Sequence, residues 1–409
     1  MAKILTDKNL ITEILERGVE KVYPSQKELE AKLLKGEALR IYCGFDPSAS
    51  SLHIGNAIAM AKLAQFQKLG HKIIFLIGSF TGMIGDPTNK GAVRKQLSRK
   101  EVMSNAIDFH QQARAYLNFE GNNPAELCYN NEWHDKLSFK DLIELSANFT
   151  VQQMIQRDMF QKRLEEEKPI FLHEFLYPLA QAYDSVALDV DVEVGGNDQM
   201  FNMMCGRDLL KAVKGKDKNV LTMKLLTDND GKKMGKSEGN IVMLDENTND
   251  MYGKVMSWAD GVLSSAFELC TNLPWAEVKA INQSLVKEEL SPRDAKMRLA
   301  WEITAINHGV EGANVAQNNF IKTVQNKEVP EEIEVKEIKA GEYKLIDLVS
   351  LLGLSSSRGE AKRVIEQGGV KVGPVKGLTV ITDTQAEIKV VSNLIVQRGK
   401  RQFVKILIK

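Results

Sequence analysis

Cysteine, proline and long apolar runs are scarce in this sequence of 409 residues. The four cysteines lie far apart and form no Cys-x-x-Cys pair, which excludes a zinc ribbon, a redox pair and a disulfide scaffold. No apolar run is long enough for a transmembrane helix, and the start of the chain lacks the apolar core of a signal peptide. We therefore expect a cytoplasmic protein with reduced thiols and no membrane partner, and we assign it no metal site.

The chain also has no excess of charge of either sign, since 54 basic residues balance 54 acidic ones. With 43% hydrophobic and 26% charged residues, it has the composition of a globular protein of two or three domains. The balance conceals a difference between its parts, because residues 342–409 carry 12 basic and 6 acidic side chains. This basic end favours a polyanionic partner, although an ordinary solvated surface is the alternative interpretation.

The pattern along the chain predicts an α/β domain at residues 1–247. Apolar runs typical of strands lie at residues 38–45, 72–78, 127–129 and 187–194, and a helical pattern at residues 54–69 ends before Gly70. Strands separated by helices indicate a parallel sheet covered on both faces. Such sheets bind ligands at the carboxyl ends of their strands.

Three further segments follow this domain. Residues 248–325 have a helical pattern, in which Ser291 and Pro292 are a typical helix start. Residues 326–341 are charged and lack an apolar face, so we interpret them as a linker. Residues 342–409 combine two short helices with strands separated by glycine, which predicts a small α+β domain.

Residues 43–56 could bind a phosphate. Here a strand ends, a turn follows, and His53 opens a helix whose N-terminus offers unpaired N–H groups. Gly55 lacks a Cβ atom, so that a base or ribose could lie against the backbone. A capped helix with an incidental histidine is an equally good interpretation of these residues alone.

Residues 228–240 form a second candidate site. Lysines stand among glycines in this loop, and their ammonium groups could stabilise the charge that builds up on a leaving pyrophosphate. Taken alone, a solvated basic loop is the simpler interpretation.

The two motifs together resemble the class I aminoacyl-tRNA synthetases, through His-Ile-Gly-Asn at residues 53–56 and Lys-Met-Gly-Lys-Ser at residues 233–237. Further motifs are similar to those of bacterial tyrosyl-tRNA synthetases: YCGFDP at 42–47, TGMIGDP at 81–87, YPLAQAYD at 177–184, GGNDQ at 195–199 and PRDAK at 292–296. The resemblance implies a catalytic domain with a Rossmann-like, doubly wound parallel sheet. An α-helical domain on the anticodon side and a small α+β RNA-binding domain would follow it.

The resemblance also implies a role for individual residues. The residues expected to bind tyrosine are Tyr42, Thr81, Asp86, Tyr177, Gln181, Asp184 and Gln199. Those expected to bind ATP are Gly44, Asp46, His53, Gly55, Asn56, Gly195, Asp198 and Lys236. Those expected to act on the phosphates during catalysis are His53, Asn56, Lys90, Arg94, Lys233 and Lys236. In this assignment Tyr42 and Asp184 hold the substrate phenol.

One group of these residues has independent support. Tyr177, Gln181 and Asp184 occupy positions i, i+4 and i+7, so they share one face of a helix. Polar side chains on such an apolar helix need partners, which favours a binding face over plain core.

The sequence departs from the family at three positions. Asn56 stands for the second histidine of the signature, Gly235 for a serine of the lysine loop, and Met200 for a tryptophan. Asn56 can still donate a hydrogen bond to ATP, and Gly235 removes no charge from the loop.

The implied substrates are L-tyrosine, ATP with Mg²⁺, and tRNA(Tyr). Arg358, Lys362, Arg363 and Lys371 would meet tRNA phosphates, unless they form only a charged helix face. A homodimer is expected from the family, with an apolar helix at residues 109–119 as a candidate contact. The alternatives are a tryptophanyl-tRNA synthetase, a nucleotidyltransferase that makes a small cofactor, and an RNA-binding protein that has lost catalysis.

Overall fold

The computed structural model describes residues 3–88, 96–227, 241–325, 333–374, 377–399 and 402–409. The chain forms two compact units. The first comprises Met1–Glu246 and Lys254–His308, and the second Asn247–Gly253 and Gly309–Lys409. Among the helices described, none is long and apolar enough to cross a membrane.

A six-stranded sheet organises the first unit. Its strands are β1 (Val19–Tyr23), β2 (Arg40–Phe45), β3 (Lys72–Ile77), β4 (Glu126–Tyr129), β5 (Val192–Gly196) and β6 (Asn219–Met223). They lie in the order β1-β6-β5-β2-β3-β4, and only the β1–β6 pair is antiparallel. The chain runs outward from β2 to β4 and then returns to β5 on the other side of β2. This reversal confirms the doubly wound sheet and leaves a crevice at the carboxyl ends of β2 and β5.

Helices connect and flank these strands. They are α1 (Lys8–Glu16), α2 (Gln26–Leu34), α3 (Ile54–Lys68), α4 (Thr81–Ile84), α5 (Arg99–Ala106), α6 (Phe109–Ala113), α7 (Asn131–His134), α8 (Phe139–Ser146), α9 (Val151–Ile155), α10 (Asp158–Glu165), α11 (Leu172–Leu188), α12 (Met200–Lys214), α13 (Thr248–Met256), α14 (Leu263–Cys270), α15 (Trp275–Val286) and α16 (Pro292–Phe320). The buried residues Leu179 and Val186 of α11 pack with Leu209 of α12. This apolar contact holds α11 in place while its polar side chains face the crevice.

The predicted strand at residues 187–194 is displaced in the structure. Ala187 and Leu188 end α11, Asp189 adopts a left-handed conformation with φ of 49°, and the strand begins only at Val192. Alternating valines are compatible with the approach to a strand as well as the strand itself, so the pattern did not locate this turn. Strands β1 and β6 were not predicted.

The chain leaves the first unit for the last time at Gly309, within the predicted helical segment at residues 248–325. Helix α16 breaks there because Gly309 has φ of 78° and ψ of 166°. The predicted domain boundaries at residues 247, 325 and 341 remain predictions.

The second unit has a small hydrophobic core to which helices and strands both contribute. Its elements are β7 (Glu334–Ile338), β8 (Gly341–Lys344), α17 (Leu345–Leu351), α18 (Arg358–Glu366), β9 (Val370–Gly373), β10 (Thr379–Val380), β11 (Glu387–Val390), β12 (Ile395–Arg398) and β13 (Gln402–Ile408). One sheet has the order β10-β9-β12-β13-β7, and β11 pairs with β8. Leu345, Leu348 and Ile365 pack with Val396 at its centre. The α+β architecture is confirmed.

The segment at residues 326–341, predicted to be a linker, contains a strand in its second half. Residues 334–338 form β7, which pairs in parallel with β13 near the end of the chain. Of its five side chains only Ile338 is buried, since β7 is an edge strand held by main-chain pairing. A strand held by main-chain pairing needs no apolar pattern in its own sequence, so the local sequence did not predict β7.

Candidate active site

Polar side chains from several elements converge at the carboxyl ends of β2, β3, β4 and β5. Asp46 follows β2, Thr81 follows β3, and Asn130 follows β4. Tyr177 and Asp184 approach from α11. The crevice that the sheet topology creates is therefore lined by hydrogen-bonding groups.

Asp46 joins two of the other site residues. Its Oδ1 accepts from Thr81 Oγ1 at 2.6 Å, and its Oδ2 accepts from Tyr177 Oη at 2.8 Å. Burial raises the pKa of the Asp46 carboxyl to about 6, although both hydroxyls act in the opposite direction. The absence of a side chain at Gly78 makes this arrangement possible, because a Cβ atom there would lie 1.9 Å from Asp46 Oδ1.

Asp184 is a buried carboxylate with three donors. Its Oδ1 accepts from Trp133 Nε1 and is 2.8 Å from His134 Nε2, and its Oδ2 accepts from Asn130 Nδ2 at 3.2 Å. Asn130 Nδ2 also donates to Thr81 Oγ1, which links Asp184 to the Asp46 cluster. The sequence analysis missed these three donors. Their position directly after the β4 strand was the available signal.

Tyr42 is completely buried beside this carboxylate. Its hydroxyl lies 2.9 Å from Ser185 Oγ, next to Asp184 in the chain. Burial raises the pKa of Tyr42 well above its ordinary value, and the negative charges of Glu193 and Asp184 contribute to the rise. The predicted phenol pair thus shares one buried region, but the Tyr42 hydroxyl bonds to Ser185.

The remaining predicted tyrosine contacts form two further hydrogen-bonded pairs. Gln199 Nε2 donates to Asp86 Oδ2 at 2.7 Å, and Gln181 Nε2 donates to Glu193 Oε1 at 3.0 Å. Arg157 stands near Asp86, with 3.9 Å between its guanidinium and the carboxylate. The sequence analysis identified neither Glu193 nor Arg157.

Helix α3, which begins at the His-Ile-Gly-Asn motif, has a reciprocal cap at its N-terminus. His53 Nδ1 accepts from the Gly55 N–H, and Asn56 Oδ1 accepts from the His53 N–H. A Cβ atom at Gly55 would lie 2.9 Å from His53 Cε1, so the glycine leaves room for the folded-back ring. The residue that replaces the second histidine therefore completes a capping box.

The segment that follows the lysine motif in the chain pairs with the start of this helix. Ile54 N–H donates to the Val242 carbonyl, and Leu244 N–H donates to the Leu52 carbonyl, both at 2.9 Å. Residues 228–240 end just before this bridge. Lys233 and Lys236 in that segment, and Lys90 and Arg94 in residues 89–95, lie outside the described residues.

The predicted ribose side lies at the end of β5. Gly195 and Gly196 end the strand, and Asp198 lies in the single 3₁₀ turn that follows. A Cβ atom at Gly196 would lie 2.6 Å from Asp198 Oδ1. Gly44, near the carboxyl end of β2, also has an exposed backbone.

Sequence comparisons show which family this chain belongs to. The profile of the class I tRNA synthetases (W and Y) matches residues 34–325. Tyrosine–tRNA ligase of Moorella thermoacetica is 41% identical over 398 residues, which cover 96% of this chain and 94% of the relative. Tyrosine–tRNA ligase 2 of Clostridium acetobutylicum is 42% identical over 401 residues, with coverage of 97% and 98%. The chain belongs to the tyrosine–tRNA ligase family.

Solved structures of the family share this fold. A C-terminally truncated mitochondrial tyrosyl-tRNA synthetase from Coccidioides posadasii has a TM-score of 0.62 at 26% identity, covering 76% of this chain and 91% of that chain. The tyrosyl-tRNA synthetase of Archaeoglobus fulgidus, solved with L-tyrosine, has a TM-score of 0.59 at 20% identity, with coverage of 76% and 100%. The second likeness supports the fold alone.

The second unit contains an S4 domain, whose profile matches residues 344–376. Ser357 caps α18, and Lys362 and Arg363 are exposed on this helix. Arg358 lies 3.0 Å from Asp347, and Lys362 lies 3.8 Å from Glu366. These acids neutralise part of the predicted RNA-binding surface of this tyrosine–tRNA ligase family member, to which Lys371 contributes from β9.

Replacing Asp46 by asparagine should change how stability depends on pH. The carboxyl pKa of about 6 in the folded chain exceeds its ordinary 3.8, so the folded chain binds this proton more tightly. Stability from this group is complete below pH 4 and is lost as the pH rises through 6, at a cost on the order of 2–3 kcal/mol. Asp46→Asn lacks that cost, so its melting temperature should gain relative to the wild type between pH 4 and 7.

The control is Asp245→Asn, which changes an exposed carboxylate. The melting temperature of this control should differ from that of the wild type by the same amount at every pH in this range. If the melting temperature of Asp46→Asn also differs from that of the wild type by a constant amount, the assignment of a raised carboxyl pKa is contradicted.

Proposed function

We propose that the chain is a tyrosine–tRNA ligase that converts L-tyrosine and ATP to tyrosyl-adenylate and pyrophosphate, then transfers tyrosine to the 3′ end of tRNA(Tyr). The observation that carries the proposal is the buried Asp184 carboxylate beside Tyr42 at the sheet crevice. Near full-length similarity to tyrosine–tRNA ligases supports it against the tryptophanyl alternative.

The substrate phenol would complete the bonding of Asp184. An ionised carboxylate offers about four lone-pair sites, and Asn130, Trp133 and His134 occupy three of them. The substrate hydroxyl donates to the fourth site. Phenylalanine has no hydroxyl and would leave the buried groups unpaired, and rejection of phenylalanine by about 10⁵ is the established example of this effect in the family.

The other end of the amino acid would lie near α11 and β5. Asp86, Tyr177 and Gln181 bind the ammonium group, since carboxylate, hydroxyl and amide oxygens are suitable acceptors. Thr81 lines the pocket, and Gln199 faces the substrate carboxylate. The hydrogen bond from Gln199 to Asp86 supports this placement, because it holds the two groups side by side.

ATP would bind across the start of α3. Because His53 Nδ1 accepts from Gly55 N–H, the neutral ring carries its proton on Nε2, which can donate to a phosphate oxygen. Asn56 and Asp46 flank the nucleotide, and its base and ribose lie near the glycines and Asp198. The glycines are Gly44, Gly55 and Gly195. Mg²⁺ enters as the ATP complex, held mainly by phosphate oxygens.

The chemical step needs no covalent nucleophile on the protein. A tyrosine carboxylate oxygen attacks the α-phosphorus, the bond to the β-phosphate oxygen breaks, and pyrophosphate leaves with the electron pair. Catalysis consists of alignment and stabilisation of negative charge. Lys90, Arg94, Lys233 and Lys236 are the proposed cations, and the bridge from Val242 to Ile54 supports a position of the lysine loop at the phosphates.

The proposal also covers assembly and location. The helix predicted for dimer contact is an unsuitable surface, because Phe109, Ala113 and Leu117 are buried in the chain's own core. Phe139 and Ile143 of α8 are exposed apolar side chains, and they support a homodimer contact there instead. The four unpaired cysteines support a reducing, cytoplasmic compartment.

Replacing Asp184 by asparagine tests the tyrosine pocket. The variant removes the charge that the phenol bonds to while retaining the shape of the side chain. A hydrogen bond to a charged group contributes about 1.5–3 kcal/mol, so kcat/KM for tyrosine should fall at least tenfold in ATP–pyrophosphate exchange. The KM for ATP should stay within twofold of the wild type.

The matched control is Asp208→Asn, an exposed carboxylate on the neighbouring helix α12. It should exchange pyrophosphate like the wild type. Tyrosine kinetics of Asp184→Asn equal to those of the control would remove Asp184 from the site.

The RNA-binding role of the S4 domain is tested by reversing charge on α18. Lys362→Glu with Arg363→Glu should lower kcat/KM for tRNA charging at least tenfold, because phosphate contacts are replaced by repulsion. Formation of tyrosyl-adenylate should be unchanged. Lys389→Glu, on the exposed edge of β11, is the control, and equal charging by both variants would count against this surface.

A further inference from the structure

A buried ion pair lies beneath the proposed tyrosine pocket. Lys218 precedes β6 and is 0% exposed, and Glu193 in β5 is 2% exposed. The Lys218 ammonium contacts Glu193 Oε2 and also donates to Ser185 Oγ at 2.7 Å. Neither Lys218 nor Glu193 has a role in the adenylation chemistry described above.

The pair connects two residues of the pocket that lie on different elements. Ser185 Oγ is 2.9 Å from Tyr42 Oη, so Lys218 reaches the β2 tyrosine through one hydroxyl. Glu193 Oε1 accepts from Gln181 Nε2 at 3.0 Å. One ion pair thus supports the side chain proposed for the substrate phenol and one proposed for the ammonium group.

The surrounding helix leaves space for this pair. A Cβ atom at Gly206, in the middle of α12, would lie 2.5 Å from Lys218 Nζ and 2.7 Å from Ser185 Oγ. Glycine is unfavourable inside a helix, so its presence here fits a need for room beside the ammonium. A buried ion pair is also a poor source of stability, because desolvation offsets the attraction between its charges.

The direction of the hydrogen bonds gives the pair a function. An ammonium group can only donate, so Ser185 Oγ accepts from Lys218. The Ser185 proton can go to Tyr42 Oη at 2.9 Å or to Glu193 Oε2 at 3.5 Å, and the shorter contact favours Tyr42. With that acceptor site filled, the Tyr42 hydroxyl can donate its proton either to the nearby Glu193 carboxylate or to an oxygen in the pocket.

We propose that Lys218 is a positioning residue for tyrosine recognition, because its buried ammonium orients the Ser185 and Tyr42 hydroxyls so that Tyr42 donates to the substrate phenol oxygen. The phenol proton goes to Asp184. The assignment rests on the proposed function, in which Tyr42 and Asp184 share the substrate hydroxyl.

The test uses the full chain with Lys218→Met and Glu193→Gln combined, so that no lone charge is left buried. The amide introduced by Glu193→Gln would keep an acceptor oxygen for Gln181. The KM for tyrosine should rise at least tenfold, and the KM for ATP should stay within twofold. The ratio of kcat/KM for tyrosine over phenylalanine should also fall at least tenfold, because phenylalanine has no hydroxyl to lose.

Ser185→Ala is the second variant, and it decides the matter if the double variant does not fold. It removes the connecting hydroxyl and should produce the same loss of the tyrosine-to-phenylalanine ratio. Lys211→Met, which changes an exposed lysine of α12, is the matched control and should behave as the wild type.

The outcomes separate the two proposals. If the wild type shows no tyrosine-dependent ATP–pyrophosphate exchange, the proposed function itself fails. If the wild type is active and a folded variant keeps the tyrosine-to-phenylalanine ratio within twofold, Lys218 has no positioning role. Equal losses for tyrosine and phenylalanine indicate a merely structural role and also overturn the inference.

Discussion

The hydrogen bonding of one buried carboxylate, Asp184, governs the rest of the site. An isolated charge in the interior is costly, so the fold must bring donors to it. Asn130 does this from the turn after β4, and Trp133 and His134 do it from helix α7. The arrangement requires β4 to lie beside β3 and Asp184 of α11 to reach the segment after β4. The doubly wound sheet therefore serves to place these groups around one polar point.

The same principle extends over the whole crevice. Asp46, Asp86 and Glu193 each have their own donors, and together with Asp184 they make a region rich in negative charge. Burying carboxylates costs stability: burial is the main cause of the raised pKa of Asp46, and the charges of Asp86 and Asp184 add to it. This cost is typical of a site shaped for binding. The acids suit an ammonium and a phenol, whereas the cations proposed to bind the phosphates lie outside the described residues.

Much of this arrangement could be predicted from the sequence. Compact apolar runs located β2 and β3, and the turn before His53 located the start of α3, because these signals are local. The spacing of Tyr177 and Asp184 indicated a polar helix face, and the structure brings both into the crevice. Family motifs identified the function, since the chain matches tyrosine–tRNA ligases over nearly its whole length.

The parts that escaped prediction depend on contacts between distant segments. Strand β7 has charged side chains and forms only because β13 pairs with its backbone. Lys218 resembles any lysine of a basic loop until the fold places it against Glu193. His134 reaches Asp184 across 50 positions of sequence, a separation that no periodic pattern reveals.

The most direct test of the account is ATP–pyrophosphate exchange by the full chain with each of the twenty amino acids offered in turn. A pocket built on a buried carboxylate and a tyrosine hydroxyl predicts efficient exchange with tyrosine and exchange with phenylalanine lower by several orders of magnitude. Exchange driven by tryptophan, or equal rates with tyrosine and phenylalanine, would contradict it.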